Sequence, residues 1–195
     1  MSTYIELTPT SWIKYSHLPE ELCLSPSDTD VLWKTQPDER AKVKIFSKEM
    51  QIPRKQQAYG KPYKFSGVLH ESVHIPLMIQ KYIDYANELE EDASNGVFNM
   101  ALLNWYESGT EYIGYHSDDE AQMVKGSNIY CFSFGATRDF LLKNKDTKEV
   151  MKIALENNTL VIMGGDCQKT HKHSIPKRLK IKDYRISITL RKFKD

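Results

Sequence analysis

Hydrophobic and polar positions repeat with two periods along this chain, and the change falls near Gly96. Ile79, Tyr82, Ile83, Ala86 and Leu89 recur at helical spacing behind Pro76. That predicts an amphipathic helix with Pro76 at its first position and acids near its end. Beyond Gly96 the period shortens to two. Residues 98–106, 113–118, 128–134, 139–143, 150–154, 159–163 and 184–193 read as short strands, most of them aromatic or β-branched. Turn signals separate them at Ser108-Gly109, Gly126-Ser127, Lys145-Asp146, Asn157-Asn158 and Gly164-Gly165. Such even spacing favours a sandwich or barrel over a doubly wound α/β fold. The first 40 residues read as irregular with short helical pieces, because Pro9, Pro19, Pro26 and Pro37 interrupt them. A short helix is expected over residues 28–33.

Length and composition narrow the class. A chain of 195 residues with 40% hydrophobic positions suits one globular domain with a real core. No stretch approaches the roughly 18 consecutive apolar residues of a membrane span. The first residues lack the basic-then-apolar order of a signal peptide. Three cysteines, Cys23, Cys131 and Cys167, show no paired spacing. A reducing intracellular compartment is expected, nucleus or cytoplasm, rather than a disulfide scaffold or a zinc knuckle.

The net charge of +1 hides a segregation. Residues 40–64 carry eight bases and one acid, and residues 169–195 carry ten bases and two acids. The remainder is strongly acidic. Two basic segments brought together would attract a polyanion such as nucleic acid. Short basic runs are equally consistent with solvated faces.

The candidate chemistry starts at His116-Ser117-Asp118. Residues i and i+2 of a strand share a face, so imidazole and carboxylate can reach one metal ion. His171 and His173 lie far downstream. Two histidines and one carboxylate with open positions form the facial triad of non-haem Fe(II) oxygenases. Taken alone, the tripeptide also fits a chance pairing of hydrogen-bonded residues. Near the C-terminus, Arg185, Ser187, Thr189 and Arg191 share one strand face, opposite Ile186, Ile188 and Leu190. Two buried arginines need anions, and a small dicarboxylate would satisfy both. The other reading is the polar outer face of an edge strand. Asn104 and Tyr106 share a strand face and offer an amide and a phenol, or simply a strand end and a core ring.

Taken in order, these motifs resemble the AlkB family of Fe(II)- and 2-oxoglutarate-dependent dioxygenases. The residues that carry the resemblance are Asn104-Trp105-Tyr106, His116-Ser117-Asp118-Asp119-Glu120, Ser133-Phe134-Gly135-Ala136-Thr137-Arg138, His173-Ser174-Ile175-Pro176 and the pair Arg185 and Arg191. Upstream, Pro53-Arg54-Lys55-Gln56, Tyr59-Gly60 and Tyr63-Lys64-Phe65-Ser66-Gly67 resemble the nucleotide-recognition region of the animal homologues that act on DNA. The resemblance spans about residues 43–193.

It implies an α+β fold with a double-stranded β-helix, or jelly-roll, core over about residues 96–195. N-terminal helices and a nucleotide-recognition hairpin region would fill about residues 1–95, the whole forming one dioxygenase domain. His116, Asp118 and His173 would hold Fe(II), with His171 the competing distal ligand. Arg185 would clamp the far carboxylate of 2-oxoglutarate, Arg191 would lie near the metal, and Asn104 and Tyr106 would bond the cosubstrate. Phe65 and His116 would sandwich a flipped base, with Tyr63, Asp119 and Glu120 at its polar edge. Arg54 would face the substrate, and Phe46 would enter the duplex from a hairpin over residues 44–52. Ser47 departs from the glycine usual at that tip.

The implied reaction is oxidative demethylation of 1-methyladenine or 3-methylcytosine in DNA. It uses O2, converts 2-oxoglutarate to succinate and CO2, and releases formaldehyde. Such lesions block the Watson–Crick edge, so the base must leave the stack. A monomer is expected, with no membrane partner and no recognisable replication-clamp motif. Alternatives are a demethylase of RNA or single strands, a nucleic-acid-binding module with an inactive pocket, and an oxygenase of proteins or small molecules.

Overall fold

The structure, a computed structural model, describes residues 2–45, 48–65, 68–90 and 96–194; the side chains of residues 44, 45, 48, 63–65 and 68 lie outside that description. The chain opens with β1 (Ser2–Thr8), β2 (Ser11–His17) and α1 (Pro26–Trp33). Two ribbons follow: β3 (Lys42–Ile45) with β4 (Lys48–Gln51), and β6 (Tyr63–Phe65) with β7 (Val68–His70), on either side of β5 (Lys55–Tyr59). After β8 (Ser72–Val73) comes α2 (Leu77–Leu89). The rest is β9 (Met100–Tyr106), β10 (Ile113–His116), β11 (Ile129–Gly135), β12 (Arg138–Asn144), β13 (Val150–Leu155), β14 (Thr159–Gly165), α3 (Cys167–Thr170), β15 (His171–Ile175) and β16 (Arg185–Arg191).

These strands form a jelly-roll core of two facing sheets. The major sheet has the order β1-β2-β14-β11-β16-β9-β5-β8, and the minor sheet β10-β15-β12-β13. Side-chain alternation divides the interior in two. Ala101, Leu103, Trp105, Tyr130, Phe132, Phe134, Ile186, Ile188 and Leu190 point from the major sheet to one face. There Leu32 of α1 and Ile79, Tyr82, Ile83 and Ala86 of α2 cover them. Met100, Leu102, Ile129, Val161 and Met163 point to the other face and meet Phe140, Leu142, Ile153 and Ile175 of the minor sheet. Each large apolar side chain so buried contributes about 1.5–3 kcal/mol. Trp105 also donates its indole N–H to Leu32 O at 3.2 Å, tying β9 to α1.

Both helices follow local rules. Ser25 and Asp28 form a reciprocal capping box, and Pro26 occupies the first turn of α1, where its missing N–H costs nothing. In α2, Pro76 is the residue before the helix rather than its first member.

The expected irregular start is overturned. β1 and β2 form an antiparallel hairpin that adds to β14 at the edge of the major sheet. The prolines punctuate elements instead of preventing them: Pro9 lies in the hairpin turn, Pro19 precedes a short 3-10 turn and Pro26 starts α1. A dense run of Thr, Tyr, Ile and Trp was the usable strand signal. Gly164 admits this hairpin, because a Cβ there would stand 2.1 Å from the Trp12 ring.

Candidate active site

Between the two sheets lies a small cavity of about 50 Å3, lined by polar side chains from both walls. From the major sheet come Asn104 and Tyr106 of β9 and Arg185, Ser187, Thr189 and Arg191 of β16. From the minor sheet come His116 and His173, with Asp118 just beyond β10. β16 is bonded to β11 on one side and β9 on the other. It is a central strand buried along its length, so the edge-strand reading of its arginines is excluded.

Among the described residues, His116, Asp118 and His173 form one group whose ligand atoms all lie within 4.8 Å of one another. His116 Nε2 is 3.5 Å from Asp118 Oδ1, and His173 Nε2 is 3.8 Å from Asp118 Oδ2. β10 and β15 pair His116 directly opposite His173, and the rings lie 4.2 Å apart between centroids. Sequence alternation expected Asp118 on the same strand as His116. Instead the strand ends at His116 and the carboxylate returns from the irregular segment after it.

His171 is buried on the same strand but lies opposite Asn144 and shares a hydrogen bond with Thr170 Oγ1. It takes no part in the cluster. The family resemblance favours His173, which Ser174-Ile175-Pro176 follow, and strand register likewise sets His173 rather than His171 opposite His116.

Protonation matches metal binding. Burial pushes His173 down to about 3, aided by the neighbouring His116. Burial likewise lowers His116, against the pull of Asp118. Both imidazoles are therefore neutral near pH 7. With Gly114 O 2.9 Å from His116 Nδ1, an Nδ1–H there leaves the Nε2 lone pair facing Asp118. Burial favours a neutral Asp118, but Arg191 and the two histidines outweigh it and hold the carboxyl below its ordinary range. Two neutral nitrogens and one carboxylate are the donor set that a divalent iron takes.

The arginines stand at the two ends of β16. Arg191 Nη2 donates to Asp118 Oδ1 at 2.8 Å and thus sits at the end beside the His116–Asp118–His173 group. Arg185, 1% exposed, donates Nη2 to Ser133 Oγ at 2.9 Å and lies 5.3 Å from the Tyr106 ring. Its Nε and Nη1 are buried with no partner among the described residues. Leaving such donors unmet costs about 1–3 kcal/mol each. An acidic ligand arriving in the cavity would meet both, which fits the carboxylate of 2-oxoglutarate.

Other sequence-derived residues scatter. Arg54 is buried at the cavity wall, donating Nε to Asn104 Oδ1 at 2.6 Å and Nη2 to Gln56 Oε1 at 3.0 Å. Glu120 turns toward Arg191, 3.6 Å away, and its pKa is raised chiefly by burial. Asp119 is exposed, and neither acid borders the cavity. Phe46 lies outside the described residues; Tyr63 and Phe65 are placed on β6 in their backbone only.

The basic segments are also less available than their count suggests. Arg185, Arg191 and Lys192 are buried, so they cannot meet a phosphate chain outside.

Sequence reasoning assigned no role to Arg138. Its guanidinium donates to the carbonyls of Ser108, Glu111 and Pro176 at 3.1, 2.8 and 2.8 Å, bracing the loops around the cavity. A lone arginine at a strand start carries no local signal for that role.

The model of the 2OG-Fe(II) oxygenase superfamily matches residues 22–191. The chain is 34% identical over 164 residues to the DNA oxidative demethylase ALKBH2 of Mus musculus, covering 78% of this chain and 66% of that protein. The match spans 61% of the Homo sapiens ALKBH2, so about two fifths of that protein has no counterpart in the match. It is 30% identical over 207 residues to the alpha-ketoglutarate-dependent dioxygenase alkB homolog 3 of Bos taurus, covering 96% of this chain and 68% of that protein. Among solved structures, that of OsALKBH1 has the same fold, with a TM-score of 0.57 at 18% identity over 97% of this chain and 100% of the other. The ligand cluster, the paired arginines and these matches agree: the chain belongs to the 2OG-Fe(II) oxygenase superfamily, within the AlkB family.

Proposed function

We propose that this chain is an Fe(II)- and 2-oxoglutarate-dependent dioxygenase that removes N-linked methyl groups from bases in DNA. The observation that carries the reading is one cavity holding both His116–Asp118–His173 and the unmet donors of Arg185. The naming of ALKBH2 as a DNA oxidative demethylase supports DNA as the substrate.

His116, Asp118 and His173 would hold the iron, and Arg185, Asn104 and Tyr106 the cosubstrate. Iron with 2-oxoglutarate supplies the oxidising power for O2-dependent hydroxylation of the methyl group, which leaves as formaldehyde. The chain's own residues do the rest. Arg191 keeps Asp118 ionised, and the buried walls exclude water from the reacting methyl group. The planar ring of His116 is half-buried and would floor the base pocket. Phe46, Tyr63 and Phe65 are assigned to the base and the vacated stack on the family resemblance. Three free cysteines support a reducing compartment.

The test is formaldehyde release by the purified chain with Fe(II), ascorbate and 2-oxoglutarate. Single-stranded DNA, duplex DNA and RNA carrying 1-methyladenine or 3-methylcytosine are compared. Turnover greatest on DNA is expected. No turnover on any of them sinks the demethylase reading, and greater turnover on RNA transfers it to the other nucleic acid.

A further inference from the structure

Gln168 stands outside the cavity and outside the ligand cluster. Its side chain nevertheless reaches the peptide of the carboxylate ligand: Asp118 N–H donates to Gln168 Oε1 at 2.9 Å. That bond is important because of where Asp118 lies. β10 ends at His116 and β11 begins at Ile129, so no strand ladder holds residue 118. A carboxylate on an irregular segment stays in place only through its tethers.

The amide is gripped from both ends. Gln168 Nε2 donates to Met163 Sδ at 3.3 Å, on β14 of the major sheet. The amide orientation follows from its partners, since an N–H needs an acceptor and a thioether needs a donor. Helix α3 has four residues, too few to stand alone. Lys145 anchors it, donating its backbone N–H to Thr170 O at 2.8 Å and its Nζ to Gln168 O at 2.8 Å. Ser117 Oγ adds a parallel tether to His171 O at 2.9 Å. A continuous path thus runs from the β12–β13 turn through α3 to the metal carboxylate.

We propose that Gln168 is a positioning residue that fixes Asp118 and thereby sets the affinity of the His116–Asp118–His173 group for a divalent cation. This rests on the metal reading of that group. The role belongs to the acceptor oxygen. Glu at 168 keeps an acceptor of the same reach, Met keeps the length but offers only a weak thioether acceptor, and Asn is one methylene short.

The experiment titrates the full chain with Mn(II) and follows the free ion by electron paramagnetic resonance. Metal-free melting is recorded alongside. Gln168→Met and Gln168→Asn should weaken Mn(II) binding about 10- to 100-fold, and Gln168→Glu should restore most of it. The metal-free melting midpoints of Gln168→Asn and Gln168→Glu should match each other. If Gln168→Met fails to fold, the contrast of Asn with Glu decides. Parent-like binding by the Asn variant, or equal losses in Asn and Glu, overturns the role of Gln168. A parent chain that binds no Mn(II) overturns the metal reading itself, a separate result.

Discussion

On the major-sheet wall of the cavity, Arg185 and Arg191 sit on β16, which is paired in unbroken register with β9 and β11. On the minor-sheet wall, His116 ends β10, a strand paired among the described residues only with β15 and through a shifted register. Asp118 lies beyond any ladder. The β16 wall is therefore positioned by backbone hydrogen bonds, which alternation then converts into side-chain direction. The wall that carries Asp118 is positioned by side-chain tethers. A ladder distributes its load over many bonds, whereas a tether concentrates it in one. Substitutions should accordingly act locally on the β16 side and spread along the tethers on the β10 side.

The largest effect is expected at the wall that carries Asp118. Asp118→Asn keeps the shape and removes the charge, and should weaken Mn(II) binding by at least about 100-fold. An unchanged circular dichroism spectrum would show that the fold survives. Next is Arg185→Met on the ladder wall. Loss of charge-assisted bonds worth about 1.5–3 kcal/mol should raise the KM for 2-oxoglutarate roughly 10- to 100-fold and leave Mn(II) affinity unchanged. A parallel loss of metal binding would erase the distinction between the walls.

Arg138→Met addresses the loops joining them. Three carbonyls lose a buried donor, which should cost about 3 kcal/mol and lower the melting midpoint by roughly 6–12 °C. Differential scanning calorimetry measures it; an unchanged midpoint would mean that the loops need no brace. The smallest effect belongs to Ser117→Ala, which removes one of the two hydrogen bonds tying residues 117 and 118 to the α3–β15 segment. A change of about threefold in Mn(II) affinity is expected, on the scale of a single neutral hydrogen bond. Combined with Gln168→Asn it should exceed the sum of the two separate losses in free energy, because each tether backs up the other.

Much of this arrangement was legible without coordinates. Period-two alternation marked seven of the strands that build the two sheets, and helical spacing marked α2. Alternation on the last strand put Arg185 and Arg191 on one face, which the cavity confirms. Other elements were not legible for identifiable reasons. β15 reads His-Lys-His-Ser-Ile, too polar and short to announce a strand, yet it carries His173. β1 is exposed on both faces for much of its length, so its alternation is faint. The charge count treated every base as surface, although β16 and Lys192 are buried.

The sequence by itself determined α2 and seven of the strands, the residues able to bind a metal and the facing arginines, because periodicity and side-chain chemistry are local properties. Tertiary structure alone decided that β10 ends before Asp118, that β16 is central, and that Gln168 reaches Asp118. Those outcomes depend on register and on contacts between residues far apart in the chain, and no local pattern encodes them.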